Sequence, residues 1–138
     1  MGMDNQTFRE IEHSLRDIPP HSRIAVLGDC SFQTSWSSGD NTRELGEMAK
    51  ALNIASAASL DCCGKPTIRL DLTQPIADVD LLGAFDAVLD IGTSMCCADP
   101  MACLQNSHAI LKQGGLAITL CGATRYFGRT YYNITPQL

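Results

Sequence analysis

The residues with the most chemical potential are the cysteines. The chain has seven, and six of them, Cys30, Cys62, Cys63, Cys96, Cys97 and Cys121, follow short apolar runs that read as strands. If those runs lie parallel, all six thiols fall at one end of a sheet. Thiolate sulfur is a soft donor suited to zinc, copper(I) or heavier ions, and close thiols can also exchange with disulfides. Against a metal centre stand the lack of any C-x-x-C spacing and the awkwardness of adjacent cysteines as ligands to one ion. Free cysteine is also a common small buried residue, so packing is the plainer role. Asp61 and Asp71 end two of the same runs, where a carboxylate can form a turn or accept hydrogen bonds from a ligand. His108 falls at the edge of a helical apolar arc, and its simplest role is that of a packed, hydrogen-bonded residue.

The elements that must position these groups are read from apolar periodicity. Phe85 to Ile91, broken only by Asp86 and Asp90, has the pattern of a strand buried on both faces in a parallel sheet. A turn at Gly92-Thr93-Ser94 follows. Asp99 then stands as an N-cap with Pro100 at the first helical position, and Met101, Leu104 and Leu111 form an apolar side with Cys103 and Ile110 beside it. Gln113-Gly114-Gly115 is the expected stop, and Leu116 to Leu120 a second buried strand. Strand, helix, strand makes a parallel βαβ unit.

Upstream, Phe8, Ile11, Leu15 and Ile18 recur at helical spacing before Pro19-Pro20, and Arg23 to Gly28 is the first strand of the sheet. A long Ser-rich loop containing Trp36 leads to a second helix that starts at Asn41 and Glu44, buries Leu45, Met48, Ala49 and Leu52, and stops at Asn53. Ala57 to Asp61 and Thr67 to Leu72 read as two more strands, joined only by Cys62-Cys63-Gly64-Lys65-Pro66. That join is too short for a helical crossover, which takes a dozen residues or more. It leaves a bare returning loop or a hairpin, of which the loop is favoured because five or six extended residues reach roughly 16 to 20 Å.

Length bounds the architecture: 138 residues suit one α/β domain, with an N-terminal helix in 1–20 and an aromatic tail in 121–138. The net charge of −5 with scattered Lys and Arg argues against a nucleic-acid partner. No apolar run nears the roughly 20 residues that span a bilayer, and the first residues lack the pattern of a signal peptide, so a cytoplasmic protein without membrane contact is expected. An odd number of cysteines in that setting favours reduced thiols.

The run FDAVLDIGTS, a capped helix ending in NSHAILKQGG, a strand, and a tail with YYNITPQL together resemble the second half of class I S-adenosylmethionine-dependent methyltransferases. The upstream SLD and RLDLTQP segments fit the same divergent branch. The resemblance implies a Rossmann-like three-layer sandwich with a mostly parallel five-stranded sheet ordered 3-2-1-4-5, lacking the last strands of the full family fold. It also implies S-adenosylmethionine in the crevice above strands one and four. The cofactor positions it implies are Gly28, Asp29, Asp61, Asp71, Asp90 and Gly92, with Asp61 facing the ribose hydroxyls and Asp71 the adenine. Departures accompany it. The family's glycine-rich turn is reduced to Gly28, with Cys30 and Phe32 in place of the later glycines, and Met95-Cys96 replaces a Glu-His pair.

Two functions follow as expectations. One is a small, degenerate methyltransferase of unassigned acceptor, in which orientation and desolvation would matter more than a proton shuttle. The other is a non-catalytic assembly or binding module that kept the fold, either a homodimer formed through the edge of strand five and the tail or a complex with another chain, with a thiol or metal-binding role as an option and Tyr131 and Tyr132 covering that edge.

Overall fold

The computed structural model describes residues 2–29, 31–33 and 41–121, with side chains described for 6–29 and 45–121. The expectations for Cys30, for the side chain of Phe32, for Trp36 and for Tyr131 and Tyr132 lie outside these residues.

The sheet is built around β6 (Phe85–Ile91), in which every residue except Asp86 is buried. On one side lies β2 (Arg23–Leu27), then β4 (Ser56–Asp61) and β5 (Ile68–Arg69); on the other lies β7 (Leu111–Leu120). The order is β5-β4-β2-β6-β7 and every pair is parallel. In sheet-strand numbering this is the expected order 3-2-1-4-5, and the fold is a Rossmann-like α/β sandwich.

Side-chain alternation along the strands sorts the core into two halves. Ile24, Val26, Ala87, Leu89 and Ile91 pack with Ile11 and Leu15 from α1 (Asn5–Ser14) and the turn after it, and with Leu45 and Met48 of α2 (Asn41–Ala51). Ala25, Leu27, Leu60, Phe85 and Val88 pack on the other face with Cys103 and Ile110 of α3 (Pro100–Ile110), and with Leu72, Leu81 and Ala84 from the segment between β5 and β6. The α1 and α2 stripes are those the periodicity predicts, and Asn53 ends α2 in the left-handed conformation at φ 53°. Asp99 caps α3 through its side chain, which accepts from Ala102 N–H. Among the described residues no helix is long and apolar enough to cross a membrane.

The join between β4 and β5 is the bare loop, and the hairpin is excluded by the parallel pairing of Leu60 with Ile68 and Asp61 with Arg69. Two reciprocal bonds make so short a return possible: Thr67 N–H donates to Ser59 Oγ at 2.9 Å and Ser59 N–H to Thr67 Oγ1 at 3.3 Å. β5 is only two residues long, shorter than the expected run to Leu72.

Four features differ from the pattern. The buried residues of α3 are Cys103, Asn106, Ser107 and Ile110, whereas Met101 is 61% exposed. Polar groups can occupy that face because each finds a partner: Asn106 Nδ2 donates to the Leu72 and Gln74 carbonyls at 2.8 and 2.7 Å, and Ser107 Oγ donates to Cys103 O at 2.8 Å. β7 is the edge of the sheet among the described residues, as the order 3-2-1-4-5 implies, but it is not the buried strand expected, with Leu116 40% exposed. The helix before it stops at Ile110, ahead of the glycines. Gly114, at φ 79°, instead lies in an irregularity where pairing jumps from Phe85–Leu111 to Ala87–Leu116. Finally, β1 (Gly2–Asp4) and β3 (Ser31–Gln33) form a separate two-stranded parallel sheet, bringing the amino-terminal segment beside the chain leaving β2.

Candidate functional site

The strand order reverses between β2 and β6, so the crevice of such a sheet lies beyond their carboxyl ends. A continuous set of hydrogen bonds ties these ends together. Asp90 is 1% exposed. Its Oδ1 accepts from the backbone N–H groups of Thr93 and Ser94 at 2.8 and 3.2 Å, and its Oδ2 accepts from Ser94 Oγ. This fixes the Gly92-Thr93-Ser94 turn, with Gly92 at φ 78°. Thr93 Oγ1 then donates to Leu27 O at 2.7 Å, crossing from the β6 turn to β2. The hydroxyl sits over Gly28, at φ 91°, so closely that any Cβ there would collide with it.

The second half of the site lies between β2 and β4. Gly28 N–H donates to Leu60 O at 2.8 Å, and Asp29 N–H to Asp61 Oδ2 at 2.7 Å. The other oxygen of Asp61 accepts from Cys63 N–H at 2.9 Å. Asp29 Oδ2 in turn accepts from Lys65 N–H at 2.8 Å and packs against Gly64, where φ is 68° and a Cβ has no room. From the far side Arg69 donates to Cys62 O at 2.6 Å and to Gly64 O at 2.9 Å. The five-residue loop is thereby held by a carboxylate on one side and a guanidinium on the other.

Of the positions named from the sequence, Gly28, Asp29, Asp61, Asp90 and Gly92 lie along this network. Asp71 engages its own turn: Oδ1 accepts from Thr73 Oγ1 and N–H at 2.7 and 2.9 Å, which holds its carboxyl below the ordinary value. Thr93 and Arg69 organise the site without having been assigned roles. Thr93 stands in the GTS run and Arg69 in the RLDL run, but only the fold shows what they bridge.

The described thiols do not form one centre. Among the described residues the metal-binding groups that converge are Asp61, Cys62 and Cys63, all within 4.8 Å of one another. Cys62 Sγ and Cys63 Sγ are 3.5 Å apart. The hydrogen bond with Cys63, then burial, then the negative charges of Cys63 and Asp61 push the Cys62 thiol up to about 11. Cys97 is half-buried and within reach of Thr93 O at 3.4 Å, with burial raising its thiol; burial raises Cys103, inside α3, further still. None of the six described cysteines is in a disulfide.

The opposite end of the sheet has a shallow cleft of about 440 Å³ around Ser14, Asp17, Asp86, Lys112 and Gly114. Lys112 Nζ pairs with Asp86 Oδ1 at 2.8 Å and Arg23 N–H donates to Asp86 Oδ2 at 2.8 Å. Burial pulls this carboxyl up, but the Arg23 N–H and the Lys112 ammonium outweigh it and hold the group below its ordinary value.

The fold and this network define a doubly wound α/β protein with its polar residues gathered at the topological switch point. Comparison of the chain with protein-family models, curated proteins and solved structures finds no match.

Proposed function

We propose that this chain is a methyltransferase-like domain that takes S-adenosylmethionine at the carboxyl ends of β2 and β4, with a cofactor site that has diverged and an acceptor that is unassigned. The observation that carries the reading is the position of Asp61: a partly exposed carboxylate at the end of the strand beside β2, fixed by two backbone N–H groups. Each of its oxygens accepts one such bond. The Cys62 thiol also bonds to this carboxylate, which with about four acceptor positions in all still keeps one for a ribose hydroxyl. The fit is narrower on the methionine side, where Thr93 Oγ1 covers Gly28 and the buried Met95 lies in the turn that follows. S-adenosylmethionine supplies the electrophilic methyl group; the chain's own residues would orient it and exclude water.

The test is a thermal-shift or calorimetric titration with S-adenosylmethionine. A stabilisation that disappears in Asp61→Ala supports the reading, and no response at millimolar ligand overturns it.

A second reading is favoured by the exposed edge of β7. A ten-residue outer strand with Leu116 40% exposed offers backbone and apolar surface to a second copy. Sedimentation would then show a dimer that Leu116→Lys converts to monomer; a wild-type monomer at high micromolar concentration rules this out.

A further inference from the structure

We propose that Asp61, Cys62 and Cys63 form a binding site for one thiophilic d10 divalent cation of the zinc and cadmium class, with two thiolates and one carboxylate as ligands and a fourth position open to water. Adjacent cysteines in an extended strand point to opposite faces and cannot share an ion. Here they lie just past the end of β4, where the chain bends, and both sulfurs fall on the same side, 3.5 Å apart. With zinc–sulfur bonds of about 2.3 Å, a tetrahedral ion needs its sulfurs about 3.8 Å apart, so a few tenths of an ångström separate the unligated pair from a chelating one. The carboxylate is already in place, since all three ligand atoms lie within 4.8 Å of one another.

The loop is held in shape by groups that are not ligands. Arg69 binds the carbonyls of Cys62 and Gly64, Asp29 binds Lys65 N–H, and Cys63 N–H is bonded to Asp61. Fixing the ligands beforehand reduces the ordering that binding would otherwise require. Arg69 also places positive charge near a site that gathers three anionic ligands around a divalent ion. Both sulfurs are exposed, so an ion can reach them. On binding, two S–H bonds are replaced by two metal–sulfur bonds and both protons pass to the buffer, so affinity rises with pH.

The experiment is a cadmium(II) titration of the full chain under a non-thiol reductant, read by the ultraviolet sulfur-to-cadmium charge-transfer band. One cadmium per chain is expected. Asp61→Asn should weaken the constant by at least about tenfold, since even outer-shell changes at metal sites have effects of that size. Cys62→Ser/Cys63→Ser should abolish the band, with its circular dichroism and melting unchanged because both positions are exposed. Cys96→Ser/Cys97→Ser should keep it. A band that survives in the first double variant, or that vanishes equally in the second, overturns the proposal. It does not depend on the cofactor reading. Cadmium binding requires no nucleoside, and Cys62→Ser/Cys63→Ser retains Asp61, so the two proposals fail separately.

Discussion

Asp90 and Asp61 stand near the carboxyl ends of β6 and β4, on either side of β2, and have opposite fates. Asp90 is buried and saturated by two backbone N–H groups and a hydroxyl, so it has little left to offer a ligand. Asp61 is partly exposed, accepts two N–H groups from the loops it joins, and has two exposed thiols beside it. The same residue type thus serves as an internal tie at Asp90, level with Leu60, and as a reachable acceptor at Asp61, one residue further along the sheet. Burial and the number of hydrogen bonds each carboxylate accepts mark the two roles.

Substitutions can break this contrast. Asp90→Ala would leave the buried Ser94 hydroxyl and two N–H groups without their acceptor, and a loss of about 3 kcal/mol or more is expected in urea unfolding. Asp61→Ala should cost less, about 1 to 2 kcal/mol, since water can reach the freed N–H groups; if the two variants were equally unstable, the contrast would fail. Thr93→Ala removes the bond to Leu27 and the hydroxyl above Gly28. About 1 kcal/mol of destabilisation is expected, together with a larger thermal response to S-adenosylmethionine if that hydroxyl narrows the site.

A smaller effect should appear at the amino end of β6. The Asp86 carboxyl is depressed in the folded state, so its contribution is complete above the ordinary value of 3.8 and is lost as pH falls through the lower folded value. Melting temperatures measured down that range should fall less steeply in Asp86→Asn than in wild type. Smallest in energy is the difference between thiols. With Cys62 raised to about 11, iodoacetamide should label it slowly at neutral pH and faster as pH approaches that value. Cys103 should remain unlabelled until the chain unfolds.

The sheet and two of its helices were legible because their signals are local. β6 is a nearly unbroken apolar run, Asp99-Pro100 is a cap with its first-turn proline, and α1 and α2 carry regular stripes. Where partners come from far along the chain, the pattern misleads. Met101 looks like part of a buried face, yet that face belongs to Asn106 and Ser107, made tolerable by carbonyls at Leu72, Gln74 and Cys103. β1 and β3 pair without apolar alternation in Gly2-Met3-Asp4 to announce them. At the switch point, Asp61 ends a strand that the apolar run announces, but the meeting of Cys62 with Cys63 depends on a bend tied by Arg69 and Asp29, which spacing alone does not encode.

The two margins of the main sheet are unequal. One is a ladder of only two residues, folded back on β4 and stitched there by Ser59 and Thr67, while the other runs for ten residues. A strand added laterally to this sheet would therefore pair along β7, because a two-residue ladder offers almost no backbone to a partner.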